Sequence, residues 1–157
     1  MALSTLILAV GQGRRMHSDT PKVLLRLAGK PLLEHIVQTA HAFSTDAPIV
    51  IIGHEGEKIR HALANLNVQW VTQDEQLGTG HALQQALPFI PDNQSVLVLY
   101  GDVPLVSAAT LKKFIRATPA AAIGILTATL PDPTGLGRII RDMYGKIIRV
   151  IEEKRCR

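Results

Sequence analysis

A single cysteine, Cys156, excludes an internal disulfide and any cysteine-built metal site, and it fits a reducing, cytoplasmic setting. Aromatic residues make up only 4% of the chain, too few for the stacking platforms of a single-stranded nucleic-acid binder, so no nucleic-acid partner is expected. No apolar run reaches the ~18 residues of a transmembrane helix. No basic segment precedes the apolar opening, so a signal peptide is not expected either. The histidines, at positions 17, 35, 41, 54, 61 and 81, show no metal-ligand spacing on a helix. There is no G-x-S-x-G nucleophile elbow, and no repeat, linker or low-complexity segment.

What is present reads as one globular domain over residues 1–157, with 46% hydrophobic and 19% charged residues. The formal charge of +4 suits phosphate-bearing ligands, although the basic residues cluster only at Arg14-Arg15 and near the C-terminus.

The most informative stretch is Leu6-Ile7-Leu8-Ala9-Val10-Gly11-Gln12-Gly13-Arg14-Arg15-Met16, followed by Pro21-Lys22-Val23-Leu24. An apolar run from Leu3 to Val10 predicts a buried parallel strand that empties into a glycine turn. Gly11 and Gly13 carry no Cβ, so a ligand can approach the backbone closely. Successive exposed N–H groups in such a turn form an anion-binding concavity. Arg14, Arg15 and Lys22 add cations that match phosphate oxygens. The turn fits neither common nucleotide fingerprint: it has no third glycine at the dinucleotide spacing and no G-K-[ST]. The expected polyphosphate site lies at the carboxyl end of the first strand, where open α/β sheets bind ligands.

Along the chain, Pro31 opens a helix with apolar residues at helical spacing to about Phe43. Ile49-Val50-Ile51-Ile52 is a second buried strand, residues 55–66 a helix, and Val68-Gln69-Trp70-Val71 a short third strand. This β-α-β-α-β order predicts a parallel sheet covered by helices. Residues 81–87 form a short helix, and residues 95–100 a fourth strand ending in Gly101-Asp102. Ser107 caps a helix reaching about Ala117. Residues 121–130 read as a fifth strand. Residues 138–141 and 146–151 read as a hairpin turning near Gly145.

Tyr100-Gly101-Asp102 then falls on the same edge as the glycine turn. A carboxylate beside a polyphosphate needs a cation between them, and Mg²⁺ pairs one or two carboxylates with substrate phosphates. A turn cap is an equally good reading of Asp102 taken alone. Gln73 offers a donor and an acceptor to a base edge, and Gly78-Thr79-Gly80 lets backbone approach a flat ring. By itself, that segment reads as a surface loop.

Together these segments resemble one family. The opening motif is similar to the L-A-A-G-x-G-T-R-M…P-K-V-L signature of sugar-phosphate nucleotidyltransferases. The segments Gln73-Asp74-Glu75-Gln76-Leu77-Gly78-Thr79-Gly80-His81-Ala82, Tyr100-Gly101-Asp102-Val103-Pro104-Leu105 and Asp132-Pro133-Thr134-Gly135-Leu136-Gly137-Arg138-Ile139 narrow the resemblance. They resemble the uridyltransferase domain of the bacterial bifunctional uridyltransferase–acetyltransferases, and the resemblance covers nearly the whole chain.

The resemblance implies an α/β, Rossmann-like nucleotidyltransferase fold, with a mostly parallel sheet, helices on both faces, and a C-terminal end short of the family domain. It implies uridylyl transfer from UTP to N-acetylglucosamine 1-phosphate, yielding UDP-N-acetylglucosamine for cell-wall precursors and pyrophosphate. Leu8, Ala9, Val10, Gly11 and Gly13 would line the nucleotide, and Gln73 and Gly78 would read uracil. Arg15 and Lys22 would hold the triphosphate and act at the α-phosphorus. Asp102 would bind Mg²⁺. Thr79, Tyr100, Gly101, Gly137 and Glu152 would hold the sugar.

Val10 and Arg14 replace a family Ala and Thr. The family domain continues beyond Glu152 to an Asn-Thr-Gly segment and a further metal-binding Asn, and then to a hexapeptide-repeat acetyltransferase domain. Residues 1–157 contain none of these, so weak or no turnover is expected of this chain, and its unfinished sheet invites self-association. The alternatives are a non-catalytic UTP-binding remnant and a transferase of different base specificity.

Overall fold

The computed structural model describes residues 2–11, 20–44, 46–53 and 55–152. They fall into two compact units, divided between Ala117 and Thr118.

The first unit is built on four parallel strands: β1 (Leu3–Ala9), β4 (Ile49–Ile52), β5 (Gln69–Thr72) and β6 (Ser95–Tyr100), in the order β5-β4-β1-β6. Between β1 and β4 lie a two-stranded hairpin, β2 (Arg26–Leu27) with β3 (Lys30–Pro31), and helix α1 (Leu32–His41). Helix α2 (Gly56–Ala62) connects β4 to β5, α3 (Thr79–Ala86) connects β5 to β6, and α4 (Ala108–Ala117) follows β6. No described helix is long and apolar enough to cross a membrane.

The sheet is buried on both faces, which is why its central strands are continuous apolar runs. Successive side chains alternate between the faces. Ile7, Val50, Ile52, Leu97 and Leu99 pack with Leu33, Ile36 and Val37 of α1, Ile59 of α2 and Leu111 of α4. Leu6, Leu8, Ile49, Ile51 and Val71 form the opposite layer, with Ala82 and Ala86 of α3. Helices therefore cover both faces, as the fold class predicted.

Most expected elements occur, with shifted ends. Helix α1 begins after Pro31, whose missing N–H costs nothing there. Helix α4 is capped as expected: Ser107 Oγ accepts the Thr110 N–H at 3.1 Å. Helix α2 is shorter than its apolar periodicity implied, stopping at Ala62. The β2–β3 hairpin had no sequence signal. Its Ala28-Gly29 turn places an alanine at φ 48°, a conformation that glycine or asparagine normally supplies.

The second unit contains a hairpin of β7 (Arg138–Arg141) and β8 (Ile147–Ile151), turning through Gly145 at φ 81°. The fifth strand expected over residues 121–130 is absent. The segment is exposed throughout, with Ile123 93% accessible, and no described strand pairs with it. An apolar, β-branched run becomes a strand only where a neighbour takes its backbone hydrogen bonds and covers one face.

Candidate nucleotide site

Register places the site. Leu8 is opposite both Ile51 and Tyr100, and Ile52 is opposite Thr72. The residues that follow each strand therefore reach one carboxyl edge: Val10 and Gly11 after β1, Gly53 after β4, Gln73 after β5, and Gly101 and Asp102 after β6. Two backbone bonds extend the ladder beyond the strands, Gln73 N–H to Ile52 O at 2.8 Å and Gly101 N–H to Leu8 O at 2.9 Å.

At the β1–β6 side of this edge, Lys22 Nζ donates to Asp102 Oδ2 at 2.6 Å. Lys22 belongs to a single 3-10 turn, Lys22–Leu24, which Val23 anchors in the core. Both charged side chains remain about one-third accessible, at 38% and 33%, so ligands can reach them. Gly101 brings the strand end close to its neighbours. A Cβ there would lie 3.2 Å from Leu8 O and 3.3 Å from both Leu33 and Val23.

Beside Pro21, the residue before Lys22, opens a small, shallow cleft. Ala9, Val10, Gly11, Pro21, Gly53, Glu55, Ile59 and Gln76 line it. Among the described residues, a Cβ on Gly11 would meet nothing within 4 Å. Val10 turns its side chain into the apolar layer under α3. Val10 is itself only half-buried, because it also lines the cleft.

Gly53, Glu55 and Gln76 were not singled out from the sequence. Gly53 carried a usable signal, since it follows an apolar strand just as Gly11 does. Gln76 Nε2 would sit only 2.7 Å from a Cβ on Gly53, so the bare backbone there is where the Gln76 amide rests.

Gln73 is 98% buried. Its Nε2 lies 3.2 Å from Gly78 O and 3.0 Å from His81 Nδ1. Gly78 stands at the start of α3 with φ 106° and ψ 178°, a conformation essentially restricted to glycine. Its carbonyl also accepts the Ala82 N–H at 3.1 Å. Thr79 opens α3 and Tyr100 closes β6, both exposed. Leu8 and Ala9 are buried in β1.

In the second unit, Gly137 and Glu152 flank the paired Arg138 and Ile151, so the hairpin brings these two expected sugar residues together. A Cβ on Gly137 would lie 3.9 Å from Glu152 Oε1. The loop before them is ordered by Asp132, whose Oδ1 accepts from Thr134 N at 3.0 Å and Thr134 Oγ1 at 2.6 Å. These bonds, the side-chain one foremost, with a smaller contribution from Arg138, hold the Asp132 carboxyl below its ordinary value. Gly13 and Arg15 lie outside the described residues. Among the described residues no cluster of three or more His, Cys, Asp or Glu side chains could hold a metal ion.

A family profile described as the MobA-like NTP transferase domain matches residues 5–142. The chain belongs to this family. It is 53% identical over 152 residues to the bifunctional protein GlmU of Cupriavidus pinatubonensis, matching 97% of this chain and 34% of that protein. It is 54% identical over 159 residues to GlmU of Legionella pneumophila strain Corby, matching 98% of this chain and 34% of that protein. The chain thus spans about a third of the length of these curated relatives. Among solved structures, a nucleotidyl transferase from Methanothermobacter thermautotroptrophicus superposes with a TM-score of 0.67 at 26% identity, covering 75% of this chain and 58% of that one. The chain shares its fold with this nucleotidyl transferase, and the strand-edge site lies within the residues that the family profile matches.

Proposed function

We propose that this site transfers a uridylyl group from UTP to N-acetylglucosamine 1-phosphate in the cytoplasm. A phosphate oxygen of the sugar 1-phosphate attacks the α-phosphorus of UTP, and the bond to the departing pyrophosphate breaks. This chemistry needs alignment and charge neutralisation, not a covalent protein intermediate. The observation that carries the reading is the meeting of Lys22 and Asp102 at the strand edge beside the Gly11 cleft. The similarity to GlmU supports the choice of substrates.

In this reading, Gly11 and its neighbours admit the nucleotide and Gln73 reads the base. Lys22, with Arg15, draws the triphosphate into line and offsets charge developing at the α-phosphorus. Thr79, Tyr100 and Gly101 receive the sugar on the first unit. A single partly exposed carboxylate fits Mg²⁺ when substrate phosphates complete the coordination. Asp102 would hold that ion, which supplies Lewis-acid neutralisation of the phosphates.

The test mixes the protein with UTP, Mg²⁺ and N-acetylglucosamine 1-phosphate and follows pyrophosphate. Release that requires all three is expected. Release that proceeds equally with CTP, or without the sugar phosphate, would contradict the reading.

A further inference from the structure

The amide of Gln73 is constrained by two neighbours, Gly78 and His81, and the constraint decides which of its atoms is left for a ligand. Gly78 O can only accept, so the terminal atom 3.2 Å from it must be the amide nitrogen. The same nitrogen lies 3.0 Å from His81 Nδ1, so its second hydrogen points to that ring atom. Nδ1 must then carry a lone pair, and the imidazole proton sits on Nε2. Gln85 stands 3.1 Å from Nε2. With the proton there, its amide must present its oxygen, a half-turn from its orientation in the structure.

Both hydrogens of the Gln73 amide are thus engaged, and among the described residues nothing donates to Oε1. Burial and the backbone bond to Ile52 O keep the residue from swinging away. We propose that His81 is a positioning residue: it locks the Gln73 amide with only its oxygen available, and so selects a base whose edge donates a hydrogen bond. Uracil offers N3–H to that oxygen. Cytosine offers a lone pair at N3, which would face the oxygen unpaired. Without an acceptor at position 81 the amide is held by Gly78 alone and can turn its nitrogen towards cytosine. The inference rests on the reading of Gln73 as the base-contacting residue.

The experiment measures binding of Mg·UTP and Mg·CTP by calorimetry to the unmodified chain and to Gln73→Leu, His81→Leu and His81→Asn. An unmade buried hydrogen bond is worth about tenfold or more in affinity. Gln73→Leu should therefore weaken UTP by about that factor. His81→Leu should lower the UTP-to-CTP preference about tenfold, chiefly by improving CTP. His81→Asn, whose Oδ1 can accept in place of Nδ1, should restore the preference. If Gln73→Leu weakens UTP but His81→Leu leaves the preference unchanged, the positioning role is overturned and the base site stands. If Gln73→Leu leaves UTP affinity unchanged, the base-site reading falls and the proposal with it. Should His81→Leu fail to fold, the ¹⁵N shifts of His81 in the unmodified protein decide. A proton on Nε2 supports the proposal, and a proton on Nδ1 overturns it.

Discussion

Lys22 Nζ and Asp102 Oδ2 are 2.6 Å apart although 80 residues separate them in the chain. Each is delivered by its own element, Lys22 by a turn pinned through Val23 and Asp102 by the end of β6. With both side chains about one-third accessible, the pair contributes little to stability, on the order of 1 kcal/mol or less. Thermal or denaturant unfolding of Lys22→Ala and Asp102→Asn should show losses no greater than that. Loss of several kcal/mol from either would mean that the pair holds the fold together and is not there for a ligand.

Gly101 has a different task. A methyl group at this position would press on Leu8 O, Leu33 and Val23 at 3.2–3.3 Å, so these neighbours would have to give by a few tenths of an ångström. Gly101→Ala should cost about 1–3 kcal/mol by overpacking, read as a lower denaturation midpoint. An unchanged midpoint would show that the strand end has room to give.

Gly53→Ala should behave in the opposite way. The added Cβ presses only on the far end of Gln76, a flexible side chain on the surface, and stands at ordinary contact distance, 3.5 Å, from Val10 O. Stability should change by less than about 0.5 kcal/mol. Because Gln76 and Gly53 both line the cleft, UTP affinity should still change. Unaltered affinity would place the base elsewhere.

Asp132 gives a pH prediction. Its hydrogen bonds from Thr134 stabilise the charged carboxylate, so its folded pKa lies below the unfolded value. The small stabilisation is present above the unfolded pKa and disappears as pH falls through the folded one. An NMR titration should find the Asp132 midpoint below the ordinary Asp value, and Thr134→Val should raise it. An Asp132 midpoint unaffected by that change would remove Thr134 as the cause.

The sheet was legible in the sequence because its central strands are buried on both faces, and such burial leaves continuous apolar runs at β1 and β4. Shared strand polarity then placed Gly11, Gln73 and Asp102 on one edge. Other features left no trace of that kind. The β2–β3 hairpin turns on an alanine in a left-handed conformation, which composition does not flag. Residues 121–130 carry the residues of a strand, but strand formation depends on a partner that the segment itself does not encode. Gln73 was recognisable as a hydrogen-bonding residue. Its burial, and the role of His81 in orienting it, depend on a contact across eight residues that only the folded loop creates.

The central claim is that Lys22 and Asp102 bind one magnesium–triphosphate ligand. It is tested most directly by calorimetric titration of UTP into the protein and into Lys22→Ala and Asp102→Asn, each with and without Mg²⁺. Saturable binding that requires Mg²⁺, and that either substitution weakens about tenfold or more, is the expected result. Binding of UTP with equal affinity to all three proteins, or with no dependence on Mg²⁺, would contradict it.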